Sequence, residues 1–269
     1  MHTLSAIRQR LLIPVISIGF ILGVFALFGF GVERASLHFR KVKANEILAN
    51  IPSRFQVVGK STIVNGFDGV SVHLADAEVG DDELYYIGAK DKIVALDLSG
   101  TSISSQGLEH CMHLSELRQL SVARTSLGES VWSVLNHFPE LTLLNVAGTH
   151  VSGEAIPDSL RLVHLKIFCG DDTQFTDTGL ERICNACPRL ESLLLSRTKL
   201  TSNASHFLNR LSELSELAIS DTKIGDQFVH NLSDSVLKKL HVLRVQSTDV
   251  SENACIQLKK QYPQIRIEQ

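Results

Sequence analysis

The sequence predicts an α/β solenoid, with one parallel sheet inside and a layer of short helices outside, preceded by a single membrane-spanning helix. Three observations carry this prediction. A spelling that begins at Ile93 (IVALDLSGTSISSQGL) returns from Leu117, Leu141, Leu190, Leu214 and Leu240. Its fourth and sixth positions form apolar columns along the chain. Ahead of it, Leu11 to Val32 carries no charge over 22 residues.

The units open at Gly69, Ile93, Leu117, Leu141, Leu162, Leu190, Leu214 and Leu240, with a partial one at Ile265, giving steps of 24, 24, 24, 21, 28, 24, 26 and 25 residues. Position four reads Val72, Leu96, Leu120, Leu144, Leu165, Leu193, Leu217 and Leu243; position six reads Leu74, Leu98, Val122, Val146, Ile167, Leu195, Ile219 and Val245. Positions one, four and six alternate as on a short strand, with four and six facing inward. Position nine is Thr101, Thr125, Thr149, Thr198, Thr222 or Thr248, and Ala77 in the first unit. A threonine hydroxyl there satisfies backbone groups of the turn. Position twelve (Gly80, Ser104, Gly128, Ser152, Thr176, Thr201, Gly225, Ser251) holds helix N-cap residues. Positions sixteen and nineteen lie three apart, as on one helix face. Each unit is therefore strand, turn and short helix, and it buries its apolar side only by stacking on neighbours.

Two units break the rhythm. The unit at Leu141 is short and loses residues around Pro157. The unit at Leu162 is long, and its turn Phe168-Cys169-Gly170-Asp171-Asp172-Thr173 carries three extra residues before the expected threonine.

Before the repeats, residues 1–10 form a polar tail with Arg8 and Arg10. The run 11–32 as a helix reaches about 33 Å, enough for a hydrocarbon core of ~30 Å. A secretory signal has a shorter apolar region and a small-x-small cleavage site, which Val32-Glu33-Arg34-Ala35 does not supply, so an uncleaved anchor is the reading. Gly19-x-x-x-Gly23 has the spacing that packs membrane helices, but glycine is common in such helices and the plainer reading is preferred. Residues 33–52 read as a juxtamembrane helix whose Arg34, Arg40, Lys41 and Lys43 sit at headgroup level, ended by Pro52. Residues 53–68 read as an irregular cap over the first open end, and 69–269 as the repeat domain. The Lys/Arg distribution slightly favours a cytoplasmic repeat domain, yet a long C-terminal domain crosses regardless of charge, and both orientations stay open.

Composition excludes several classes. The chain has 269 residues, 44% hydrophobic and 6% aromatic, with a net charge of −3. A near-neutral chain without a Lys/Arg-rich run argues against nucleic acid as partner. Cys111, Cys187 and Cys255 fall on core positions and are expected as small buried hydrophobes. Cys184-x-x-Cys187 lacks the second pair that a zinc site needs. His110-Cys111-Met112-His113 puts its histidines around a core position, on the outer helix. There is no glycine-rich phosphate loop, H-E-x-x-H or G-x-S-x-G. No enzyme activity, cofactor, metal or small-molecule substrate is expected.

The period lies inside the leucine-rich repeat range of roughly 20–29 residues. The segment VSVHLADAEVGDDELYYI (70–87) beside VALDLSGTSISSQGLEHC (94–111), and the tail Thr173-Gln174-Phe175-Thr176-Asp177-Thr178-Gly179-Leu180, resemble bacterial membrane-anchored leucine-rich repeat proteins of the pattern L-x-x-L-x-L-x-x-T-x-[IV]-[TS]-D-x-G-L. Ser105-Gln106 and Gly128-Glu129 depart from the Thr-Asp cap. The resemblance implies a right-handed horseshoe, with the parallel sheet on the concave face and helices on the convex face. It implies a protein-interaction module and no defined active site.

The concave face is the candidate site. Its exposed positions are two, three, five, seven and eight of each unit. The first units offer small residues there (Ala95, Ser99, Ser121, Ala123, Ala147, Gly148), and later ones offer His164, Lys166, Phe168, Arg197, Glu216, Asp221 and Arg244. Arg197 and Asp221 share position eight on neighbouring strands and are expected to pair. The patch proposed from sequence is centred on Lys166, Phe168 and Arg197 and edged by Asp171, Asp172 and Asp221, for a protein partner. The rival reading is a structural envelope protein whose solenoid only spaces or packs.

Overall fold

A computed structural model of the chain describes residues 34–47, 61–64, 67–90 and 92–269. The tail, the charge-free run Leu11–Val32 and most of the expected cap lie outside the described residues. No helix among the described residues is long and apolar enough to cross a membrane.

One sheet runs through the molecule in sequence order: β1 (Ser61–Val64), β2 (Phe67–His73), β3 (Ile93–Asp97), β4 (Gln119–Ser121), β5 (Leu143–Asn145), β6 (Ile167–Cys169), β7 (Ser192–Leu194), β8 (Glu216–Ala218), β9 (Val242–Arg244) and β10 (Arg266–Glu268). β1 pairs antiparallel with β2, and the nine strands from β2 to β10 are parallel. The connections carry α2 (Asp81–Ile87), α3 (Ser105–Glu109), α4 (Val131–Leu135), α5 (Asp177–Ala186), α6 (Ser205–Leu208), α7 (Asp226–Asn231), α8 (Asp234–Lys239) and α9 (Glu252–Gln261). The unit opening at Leu141 has turns instead of a helix around Pro157.

A further helix, α1, covers 34–47. It docks on the first repeat: the Arg40 guanidinium lies 3.9 Å from the Tyr85 ring centroid and donates to the Tyr85 carbonyl at 2.6 Å. Ala44 is fully buried, and Ile47 packs on the core. Arg40 is thus spent on the first repeat rather than on lipid headgroups.

The core is a set of ladders. Position one (Ile93, Leu117, Leu141, Leu165, Leu190, Leu214, Leu240, Ile265) and position four (Leu96, Leu120, Leu144, Phe168, Leu193, Leu217, Leu243) are buried throughout. The strand pairing corrects the sequence register in the fifth unit. Leu144 pairs with Phe168, and Leu143 with Ile167. The unit therefore opens at Leu165, not Leu162, and the steps from Leu141 become 24 and 25 residues instead of 21 and 28. Leu162 takes the place three residues before an opening that Leu114 and Phe138 hold elsewhere. There is no inserted turn. Gly170 stands at position six and Thr173 at position nine, in step with its neighbours.

The threonine column does what its position predicts. Thr101, Thr125, Thr149, Thr173, Thr198, Thr222 and Thr248 each donate a hydroxyl to the carbonyl three residues back, at 2.6–2.7 Å. An unmet carbonyl in such a turn costs more than a hydrogen bond normally contributes. The Thr-Asp-x-Gly-Leu tail has a similar logic. Ser104, Thr176, Thr201 and Ser251 cap their own helical turns through the side-chain oxygen. The acidic residue after position twelve reaches forward to the next unit: Asp81 accepts from the Ser104 amide and hydroxyl, Asp177 from those of Thr201, and Asp226 from those of Ser251. Glu129 does the same for the Ser152 amide although Gly128 is no side-chain cap, and α4 starts later, after Ser130. Glycine at position fifteen allows this closeness. A Cβ on Gly107 would stand 2.0 Å from Asp81 Oδ1, and one on Gly179 2.2 Å from the Ser152 carbonyl oxygen.

Candidate functional site

Among the described residues, the helices cover one side of the sheet and the other side is open. In short strands successive side chains point to opposite faces, so positions three and five line the open face while four and six enter the core. Position three reads Gln119, Leu143, Ile167, Ser192, Glu216 and Val242 across β4 to β9; position five reads Ser121, Asn145, Cys169, Leu194, Ala218 and Arg244.

These columns divide the face into three zones. Toward β3 it is small and polar: Ser99 Oγ donates to Asp97 at 2.6 Å and lies 2.7 Å from Ser121 Oγ. In the middle it is apolar. Leu143 and Ile167 are neighbours on position three, and Cys169, Leu194 and Ala218 are neighbours on position five. Ile167 is 37% exposed, beside half-buried Leu143 on the same column. Toward β10 the face is an ion ladder. Ser192 donates to Glu216 at 2.7 Å, and Arg244 bridges Glu216 at 2.6 Å and Glu268 at 3.0 Å. The Ser192 hydroxyl and the Arg244 guanidinium hold the Glu216 carboxyl below its ordinary range. The reverse holds for Cys169, whose thiol burial pushes up to about 11.

Charged margins flank the apolar zone. On the side where the strands begin, Lys166 pairs with Glu191 at 2.7 Å. On the side where they end, position eight forms a rim: Asp76, Gly100, Arg124, Gly148, Asp172, Arg197, Asp221 and Ser247. All eight have positive φ, between 54° and 68°. For a non-glycine residue this conformation is uncommon and carries strain. The two arginines that accept it each meet an aspartate: Arg124 reaches Asp76 at 3.0 Å across Gly100, and Arg197 approaches Asp172 at 4.0 Å.

The sequence-predicted patch is partly assembled. Lys166, Asp172, Arg197 and Asp221 are exposed, and Asp171 accepts from the Ser196 amide at 2.7 Å. Arg197 pairs with Asp172 and not with Asp221. Phe168 is the main correction. It is fully buried, at ring-centroid distances of 5.5 Å from Phe175 and 6.5 Å from Trp132, and no partner can reach it. The exposed apolar side chain of that strand is its neighbour Ile167, placed by the three-residue register change described above. Ala95, Ser99 and Ala123, expected exposed, are under 9% accessible. Sequence reasoning placed Glu216 and Arg244 on this face but missed Glu191, Glu268 and the ladder that joins Glu216, Arg244 and Glu268. Leu143 and Leu194 fall on positions three and five, which the sequence reading assigns to this face, but neither entered the patch.

The five cysteines are free thiols. Cys111, Cys184 and Cys187 are buried, and desolvation pushes the first two to about 12 and raises Cys187 further. Cys255, on the same kind of core position, is 7% accessible. No group of three or more His, Cys, Asp or Glu residues arranged for a metal ion occurs among the described residues.

No family profile and no curated protein sequence matches the chain. Solved structures do. Internalin C2 from Listeria monocytogenes is similar with a TM-score of 0.57 at 15% identity, over 76% of this chain and 80% of that one. The leucine-rich repeat ectodomain of the Arabidopsis receptor kinase HAESA, solved with an extended IDA peptide hormone ligand, is similar with a TM-score of 0.54 at 17% identity, over 78% of this chain. The match spans only 35% of that ectodomain. At such identities the likeness establishes architecture: the chain has the leucine-rich repeat fold.

Proposed function

We propose that this chain is a membrane-tethered protein-recognition module that takes a segment of a partner protein on the open face of its sheet, across β5 to β9. The observation that carries the reading is the apolar strip on the open face, exposed Ile167 with half-buried Leu143, Cys169 and Leu194, bounded by Lys166 and Glu191 on one margin and Asp172, Arg197 and Asp221 on the other. An apolar centre inside a charged rim is the composition of a protein interface. The HAESA repeat ectodomain, which shares the fold, was solved in complex with a peptide hormone, and this is in keeping with the reading. Tethering rests on the charge-free run Leu11–Val32.

The test is proximity labelling in the native cell, with the label on a flexible linker after Gln269. The wild type is compared with an Ile167→Asp, Leu194→Asp variant of equal abundance. The proposal expects a discrete labelled protein that the variant loses. An identical labelled set from both would count against it, and so would retention of the full-length protein on membranes only at low salt against the tether.

A further inference from the structure

We propose that the helical side of the solenoid carries a phosphate-binding pocket, formed where the fourth unit lacks its helix and walled by Arg161, Arg182 and Asn185. The ligand is a phosphate group, as the free ion or as a small monoester. This inference is independent of what the open face binds.

The pocket follows from the break at Pro157. In the unit that opens at Leu141, turns stand where its neighbours carry a helix. The flank of α5 toward that unit therefore borders a depression of about 400 Å³ instead of a packed helix. Two segments line it: Pro157, Asp158, Leu160 and Arg161 from the turns, and Arg182 with Asn185 from α5. Arg182 and Asn185 are three residues apart, so they share one side of the helix.

The wall is made of hydrogen-bond donors. Arg161 donates through Nη1 to the Asp158 and Leu160 carbonyls at 2.6 and 2.7 Å, and Arg182 through Nη1 to the Ile156 carbonyl at 2.7 Å. These bonds hold the two guanidiniums in place without neutralising them, because a carbonyl carries no net charge. A guanidinium has five N–H donors, so each arginine keeps donors beyond its Nη1. Among the described residues, the buried Nε of Arg182 meets no acceptor. Asn185 adds a further donor: its Oδ1 accepts from Arg210 at 2.5 Å, which leaves Nδ2 to donate. The carboxylate that lines the pocket, Asp158, approaches Arg182 at 3.5 Å with a side chain 96% exposed. Two fixed cations against one loosely held anion leave the pocket positive. Donors spread over two elements suit the several oxygens of a phosphate, whereas a flat carboxylate is met edge-on by a single guanidinium.

Isothermal titration calorimetry of the full chain in detergent tests this, with inorganic phosphate, glycerol 3-phosphate and acetate as probes. The wild type should bind a phosphate probe at millimolar concentration or below, and the tighter of the two names the source. Acetate should bind at least about tenfold more weakly. Asn185→Asp keeps the acceptor for Arg210 but turns the donor into a negative charge, and should weaken phosphate at least about tenfold. Asp158→Asn removes the opposing charge and should tighten phosphate severalfold, a gain that a merely structural role would not give. Ile167→Asp, on the open face, should bind as the wild type does. No binding of either phosphate probe, acetate bound as tightly, an unchanged affinity in Asn185→Asp, weaker binding in Asp158→Asn, or loss in Ile167→Asp would each overturn the proposal.

Discussion

Replacing Phe168 with alanine should be among the most damaging single changes in the repeat domain, and replacing Ile167 beside it should cost much less. Phe168 is fully buried on position four, within an aromatic group that includes Trp132 and Phe175. An aromatic side chain buries roughly 150–250 Å², which at about 25 cal/mol per Å² gives an upper bound of about 4–6 kcal/mol. Measured Phe→Ala changes cost about 3–5 kcal/mol, because the cavity closes only in part. Ile167 keeps over a third of its surface in water, so truncation should cost about 1–2 kcal/mol. Urea unfolding of the full chain, followed by the fluorescence of the single tryptophan, Trp132, and by far-ultraviolet circular dichroism, compares the two midpoints. Equal midpoints, or a larger loss for Ile167→Ala, would show that the fifth unit opens at Leu162 after all.

The same ladders make further predictions. Leu144→Ala and Leu217→Ala should each cost about 2–5 kcal/mol in urea unfolding, and Leu143→Ala or Leu194→Ala on the open face much less. Thr149→Val keeps shape but removes the hydroxyl donated to the Val146 carbonyl at 2.6 Å, and should cost about 1 kcal/mol in the same assay. Acid sensitivity follows from two carboxylates. Glu216 is held below its ordinary value of 4.5 by Ser192 and Arg244. Burial opposes ionisation at Glu129, but the Ser152 amide and hydroxyl, Trp132 and the Ala155 amide outweigh it. Groups with lowered folded values contribute their full stability above 4.5 and lose it as pH falls through the folded value. Unfolding midpoints should therefore drop below pH 4.5, and Glu129→Gln with Glu216→Gln should flatten that drop.

The fold was legible because the period is long-range and redundant: position four is apolar in every unit, so chance patterns cannot imitate it. The site was less legible, and Phe168 shows why. Leu162-Arg161 and its surroundings spell a convincing opening, since Leu162, Leu165 and Ile167 have the spacing of positions one, four and six. The true position six is Gly170, which leaves no apolar mark, and the preceding unit lacks the helix that would have fixed the count. Thr173 was the better marker, because its hydroxyl has a fixed duty to the carbonyl three residues back. The rim was hidden for another reason. Glycine and aspartate hint at positive φ, but arginine at positions 124 and 197 does not, and only the backbone reveals the column. The pairing of Arg197 with Asp172 instead of Asp221 depends on rotamers that no spacing rule sets.

The central claim is that a partner protein meets the open face of the sheet. A photoreactive amino acid placed at Ile167, and separately at Leu194, tests it most directly in intact cells. The control is the same group at Glu109, exposed on the helical side. The account predicts one discrete cross-linked protein shared by the two open-face positions and missing at Glu109. No adduct at either open-face position, or the same adduct at Glu109, would contradict it.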